Sequence, residues 1–140
     1  MITEDYVNFN VANLLKEKGF DEPTGFVYSE NGELMKLSDF GVRYLSNSEC
    51  DDYPHWQFPI EGVAAIVSAP TIQMVMKWLR EAQGIDISID IRFWTEDEDV
   101  YVKSWKYTVY HTDEIEDFGQ SDTYEEACED AIKFCLENLI

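Results

Sequence analysis

The chain has 140 residues, 45% of them hydrophobic, which is enough for one domain spanning 1–140 whose core needs neither metal nor disulfide staples. Its 29 acidic and 10 basic residues give a net charge of -19, a field that repels nucleic-acid phosphates and anionic lipid headgroups and so argues against direct binding of either. High charge can also mean disorder, but 14% aromatic content and strong local periodicity predict a folded chain.

The charge is uneven. Fifteen acidic and 7 basic residues precede Trp94 (net -8), and 14 and 3 follow it (net -11). Met1 to Asp5 carries no basic stretch leading into an apolar one. The longest nearly apolar run, Val63 to Ala69, is far short of the ~20 residues that span a bilayer, so neither export nor membrane insertion is expected. Cys50, Cys128 and Cys135 include no C-x-x-C pair, which predicts reduced thiols and a cytoplasmic setting rather than a disulfide framework.

In chain order, Val7, Val11, Leu14 and Leu15 fall at helical spacing and predict a helix over about 5–18, closed by Gly19. Phe26 to Tyr28 and Leu34 to Leu37 flank Asn31-Gly32, a strong hairpin signal because both residues tolerate positive φ. From Ser38 to Pro59 no period holds, and Val63 to Val67 reads as a short buried strand. Met74, Val75, Trp78, Leu79 and Ala82 predict a helix over about 72–83, with Thr71 as its cap and Gly84 as its stop.

Ile85, Ile87, Ile89, Ile91 and Phe93 then alternate with polar residues, the period of a strand with one buried face, and Val100 to Tyr110 should pair back with it. Asp113 to Asp122 reads as an acidic loop. Thr123-Tyr124-Glu125-Glu126 fits a capping box opening a helix over about 124–139. The expected architecture is α+β: three helices packed on a mainly antiparallel sheet, in the order helix, hairpin, irregular segment, helix, hairpin, helix. Leu14 to Asp21 and Leu79 to Asp86 share a pattern of helix end, glycine, apolar residue and Asp, a hint of two helix–hairpin units.

Ala69-Pro70-Thr71, Lys77-Trp78-Leu79-Arg80-Glu81, Gly84-Ile85 and Thr123-Tyr124-Glu125-Glu126-Ala127 resemble a family of small uncharacterised proteins of bacteriophages and mobile elements of gut anaerobes. Leu14-Leu15-Lys16-Glu17-Lys18-Gly19-Phe20-Asp21-Glu22-Pro23 is similar to that family's first helix end. These motifs are helix boundaries and packing positions, so the resemblance implies a setting without a mechanism.

Chemistry is sparse. Cys50, Asp51, Asp52 and His55 are the densest metal-capable group, yet a site normally takes about four ligands of fixed geometry, and a polar loop before Trp56 explains them as well. Pairing Cys50 with His55 or His111 as a nucleophile lacks a supporting turn or helix start. The carboxylate runs Glu96 to Asp99, Glu114 to Asp117 and Glu125-Glu126 fall in expected turns and helix starts and read as solvated faces. No phosphate loop, dinucleotide fingerprint, nucleophile elbow or zinc-protease motif is present, so no cofactor, metal or catalytic residue is assigned.

The sequence therefore points to a non-enzymatic cytoplasmic protein acting through another protein in a phage or mobile-element setting. Alternatives are an acidic DNA mimic that occupies a nucleic-acid-binding groove and, more weakly, a small hydrolase using the Cys50 to His55 region. A five-residue turn, Thr95 to Asp99, would set Trp94 opposite Val100 and Arg92 opposite Val102 on the face away from the core. Trp94, Val100 and Val102 would then form a small apolar cluster, flanked by Arg92 and an acidic tip, with the anatomy of an interface. The competing reading has residues 38–68 covering this face, with Trp94 as ordinary core.

Overall fold

The computed structural model describes residues 2–52, 65–97 and 100–140. The class is α+β, as predicted, but the expected single sheet is two antiparallel three-stranded sheets. The chain divides into two compact units, Met1–Thr71 and Ile72–Ile140.

In the first unit α1 spans Phe9–Glu17, not 5–18. The Asn8 side chain accepts a hydrogen bond from the Val11 N–H at 2.9 Å and sets the cap there. Residues before it stay extended, with Val7 fully buried and donating its N–H to Pro70 O at 3.1 Å. The hairpin forms as predicted from β1 (Phe26–Ser29) and β2 (Leu34–Lys36), with Val27 opposite Met35. Only Gly32 in its turn takes the left-handed conformation, φ 78°, so Asn31-Gly32 does not supply two positive-φ residues.

A 3-10 helix (Leu37–Phe40) and α2 (Asn47–Asp52) occupy part of the segment that showed no period. The strand expected near Val63 to Val67 is β3 (Ala65–Ser68), antiparallel to β1 on the side away from β2; Val63 lies outside the described residues. Val27, Met35, Leu37, Leu45 and Cys50 form a core cluster against which Phe40 and Val42 pack. Asn47 ties this region together from within. Its Nδ2 donates to Phe20 O at 2.6 Å and its Oδ1 accepts from Ser68 N at 2.8 Å.

In the second unit α3 (Ile72–Ala82) buries Ile72, Val75, Met76 and Leu79, with Trp78 half-buried at the edge of the stripe. It runs through the Gly84 turn into β4 (Ile85–Asp97), which pairs with β5 (Val100–His111). β6 (Glu114–Ser121) pairs on the far side of β5, where the sequence predicted a loop. A tight turn at Thr112 and Asp113, φ 50° and 66°, makes that hairpin without a glycine. α4 (Tyr124–Asn138) starts at Thr123, whose hydroxyl accepts from the Glu126 N–H at 3.1 Å, and buries Ala127, Cys128, Ala131, Ile132, Cys135 and Leu136.

Candidate functional site

Both helices of the second unit serve the sheet face that carries Ile85 and Val109, each essentially fully buried. α4 has 15 residues and covers about 22 Å at 1.5 Å per residue, whereas β4 has 13 and covers about 43 Å at 3.3 Å per residue. The hairpin therefore outruns the helices. Burial along the predicted core face fades accordingly: Ile85 is 1% exposed, Ile87 and Ile89 are half-buried, and Ile91 and Phe93 are 40% and 56% exposed. The last helix meets this face near its limit, where Trp105 packs edge-on against Tyr124 with ring centroids 5.4 Å apart. Placing Ile91 and Phe93 in the core was thus incorrect, because strict alternation tells which face a residue occupies but not how far the covering layer extends.

The register of the arm also differs from expectation by two residues. Trp94 stands opposite Val102 and Arg92 opposite Ser104, rather than Val100 and Val102. The strands keep pairing through the acidic residues, with an irregularity between Thr95 and Asp97, so Val100 comes opposite Asp97 and its side chain lies outside the described structure. A slip of two preserves faces, so Trp94, Val102 and Arg92 still share the side away from the helices. Trp94 is 41% exposed, Val102 is half-buried and Arg92 exposed; residues 53–64 of the segment expected to cover this face lie outside the described residues. Ser104, between them, is 5% exposed and its hydroxyl has no hydrogen-bond partner among the described residues.

Sequence reasoning missed the apolar members of the opposite end of this face. Ile115 and Phe118 of β6 are 61% and 67% exposed, and the Lys106 ammonium lies 5.4 Å from the Phe118 ring. Their period was hidden by the register shift between Val109 and Tyr110.

The remaining sequence candidates fall apart as chemistry. Burial pushes the Cys50 thiol up to about 11, against the pull of Lys16, so it is held protonated at neutral pH. Asp51 pairs with Lys16 at 2.5 Å, while His55 lies outside the described residues and His111 belongs to the other unit. Among the described residues no group of His, Cys, Asp and Glu is placed to hold a metal ion, and no helix is long and apolar enough to cross a membrane.

An open cleft of about 380 Å³ lies between α4 and the β5–β6 pair. Within it Tyr107 donates to Asp117 at 2.9 Å and Lys133 lies 3.8 Å from Glu137, while Asp130 on its wall accepts from Ser121 at 2.9 Å. Asp117 and Asp130 of the two later acidic stretches both line this cleft, and the remaining acidic residues are spread over different elements. Asp97 is at the tip of the β4–β5 arm, Glu114 is opposite His111 at its other end, and Glu125 and Glu126 begin α4.

No family model, curated protein or solved structure matches this chain.

Proposed function

We infer that the protein is a binding module whose β4–β5 arm engages another protein, in the phage or mobile-element setting that its resemblance implies. The supporting observation is the exposure of large apolar side chains on both faces of one hairpin, Ile91 and Phe93 on one and Trp94 on the other, next to an acidic tip. Trp and Arg are favoured interface anchors, and an apolar centre with a charged rim is the usual build of such a surface. Trp94, Val102 and Arg92 form the contact centre, with Val100 at the turn. Nothing in the arm requires a cofactor or a catalytic group.

The test compares proteins captured from host lysate by the wild-type chain, by Trp94→Ala and by Phe118→Ala, which removes a still more exposed ring at the other end of the sheet. A captured protein lost with Trp94→Ala and kept with Phe118→Ala, while the melting temperature of both variants stays within a few degrees of wild type, supports the arm. Identical capture by all three chains overturns it. So does a large loss of stability in Trp94→Ala, since truncating a core aromatic costs about 3–5 kcal/mol.

A further inference from the structure

The outer side of β4 is a sheet edge: the strand order is β4-β5-β6, and no described strand pairs with it. Natural edges are blunted by proline, bulges, charged side chains (lysine above all) or brevity, and over Ile85 to Phe93 the charges of β4 are Asp86, Asp90 and Arg92. β4 has 13 residues, no proline or glycine, no lysine, and unbroken pairing to β5 from Ile85 to Thr95. The opposite edge, β6, is shorter and carries a register shift and Gly119.

The sequence on this edge is nearly self-complementary. Ile85-Asp86-Ile87-Ser88-Ile89-Asp90-Ile91-Arg92-Phe93 places apolar residues symmetrically about Ile89. We propose that two copies of this chain pair edge to edge through β4, antiparallel, in the register that sets Ile89 opposite Ile89 of the second copy.

In that register one face carries Ile85 opposite Phe93, Ile87 opposite Ile91, and the Ile89 pair. The exposed Ile91 and Phe93 of each copy therefore extend the row in which Ile85 of the other is already buried. The other face carries Asp86 opposite Arg92 and Ser88 opposite Asp90. Arg92 is the one basic residue of β4, is exposed, and makes no ion pair among the described residues; this pairing supplies one to each copy.

Neighbouring registers fail on charge. Centring on Asp90 or Arg92 sets that residue against itself. Centring on Ser88 opposes Asp86 to Asp90 and centring on Phe93 opposes Asp90 to Glu96, while centring on Ile91 pairs Asp90 with Arg92 but offsets that by opposing Asp86 to Glu96. Centring on Ile87 carries Arg92 past the end of the facing strand. Ile91, Arg92 and Phe93 serve both this pairing and the arm's role in binding another protein, whereas Trp94 and Val102 lie beyond the nine-residue overlap, so Trp94→Ala separates the two.

The net charge of -19 on each copy opposes association at long range, so the dimer strengthens as salt shortens the Debye length from about 10 Å at 0.1 M toward 3 Å at 1 M. The experiment is sedimentation equilibrium of the full chain across that range. The expected result is a monomer–dimer equilibrium that tightens with salt and weakens about tenfold or more in Arg92→Asp. It is restored in the double variant Asp86→Arg with Arg92→Asp and unchanged in Trp94→Ala.

As an independent readout, Ile89→Cys should form an intermolecular disulfide on mild oxidation, since Cys50, Cys128 and Cys135 are all buried. A monomer at every concentration and salt overturns the proposal. A dimer indifferent to Arg92→Asp, or one rescued by Asp90→Arg and not by Asp86→Arg, overturns this register.

Discussion

The Tyr107 ring sits so close over Gly119 on the neighbouring strand that a Cβ built on the glycine would stand 2.6 Å from Cε1 and 2.8 Å from the phenolic oxygen. The ring cannot simply swing away, because its hydroxyl donates to Asp117 at 2.9 Å.

Gly119→Ala therefore forces the ring or the strand to move, and the cost of such overpacking is about 1–3 kcal/mol. Urea unfolding should show a lower midpoint with an unchanged slope. Tyr107→Leu with Gly119→Ala, which replaces the planar ring, should recover part of the loss. An unchanged midpoint in Gly119→Ala would mean that the ring is not fixed as described.

Stability should fall on the alkaline side. Burial, reinforced by the hydrogen bond to Asp117 and the nearby carboxylates, pushes Tyr107 from 10.0 to about 12, and burial likewise pushes Cys50 and Cys135 from 9.0 to about 11 and about 12. In each case the folded state holds a proton that the unfolded state releases first. Their contribution is thus complete below the unfolded values and is lost as pH rises from about 9 to 12. Chemical denaturation across that interval, in wild type and Tyr107→Phe, measures it: the midpoint should drop with pH and drop less in the variant. A flat profile to pH about 11 would contradict these shifts.

Asn47 is 4% exposed, and both ends of its amide are engaged, to Phe20 O and Ser68 N. Asn47→Ala removes both bonds and leaves the buried Ser68 N–H without its Asn47 acceptor, a cost of about 1–3 kcal/mol. Asn47→Asp keeps the acceptor for Ser68 but sets a buried carboxylate oxygen against the Phe20 carbonyl, so it should cost at least as much at neutral pH and less as acid protonates it. Hydrogen exchange at the Ser68 amide provides a local check: protection lost in Asn47→Ala and kept in Asn47→Asp is the expected pattern.

What was legible in the sequence follows from what each signal reports. α3 and α4 match their predicted ranges to within a residue at each end, because an apolar stripe bounded by a cap or a glycine encodes length; the face of α3 was read less well, since Met74 and Ala82 are exposed and Ile72 and Met76 are buried. β6 was missed because its apolar Ile115 and Phe118 are exposed and its neighbours are acidic, so nothing in it reads as half-buried. The strand is held by backbone pairing to β5, which leaves little trace in side-chain pattern. Asn47 was invisible for a different reason: a polar residue in an aperiodic segment gives no sign that two distant backbone groups converge on it. At the arm, the sequence marked Trp94, Val102 and Arg92 as neighbours on one face, but the register depended on how far the strands pair into an acidic turn, and charge there argued for an earlier parting than occurs.

The pairing of β1 with β3 has a consequence for the order in which this chain assembles. Every other strand pair among the described residues joins neighbours across a short turn, whereas Tyr28 meets Val67 across 39 positions. Closing that span costs about 2 kcal/mol more entropy than closing a turn of a few residues. The second unit, built from two consecutive hairpins, can thus zip from its turns, while the first must wait for its last strand. During synthesis at about 5–20 residues per second, β1 leaves the ribosome roughly 2–8 s before β3 exists to pair with it. For that interval one edge of β1 is open, and the half of the protein made first is the half that finishes its sheet by the slower route.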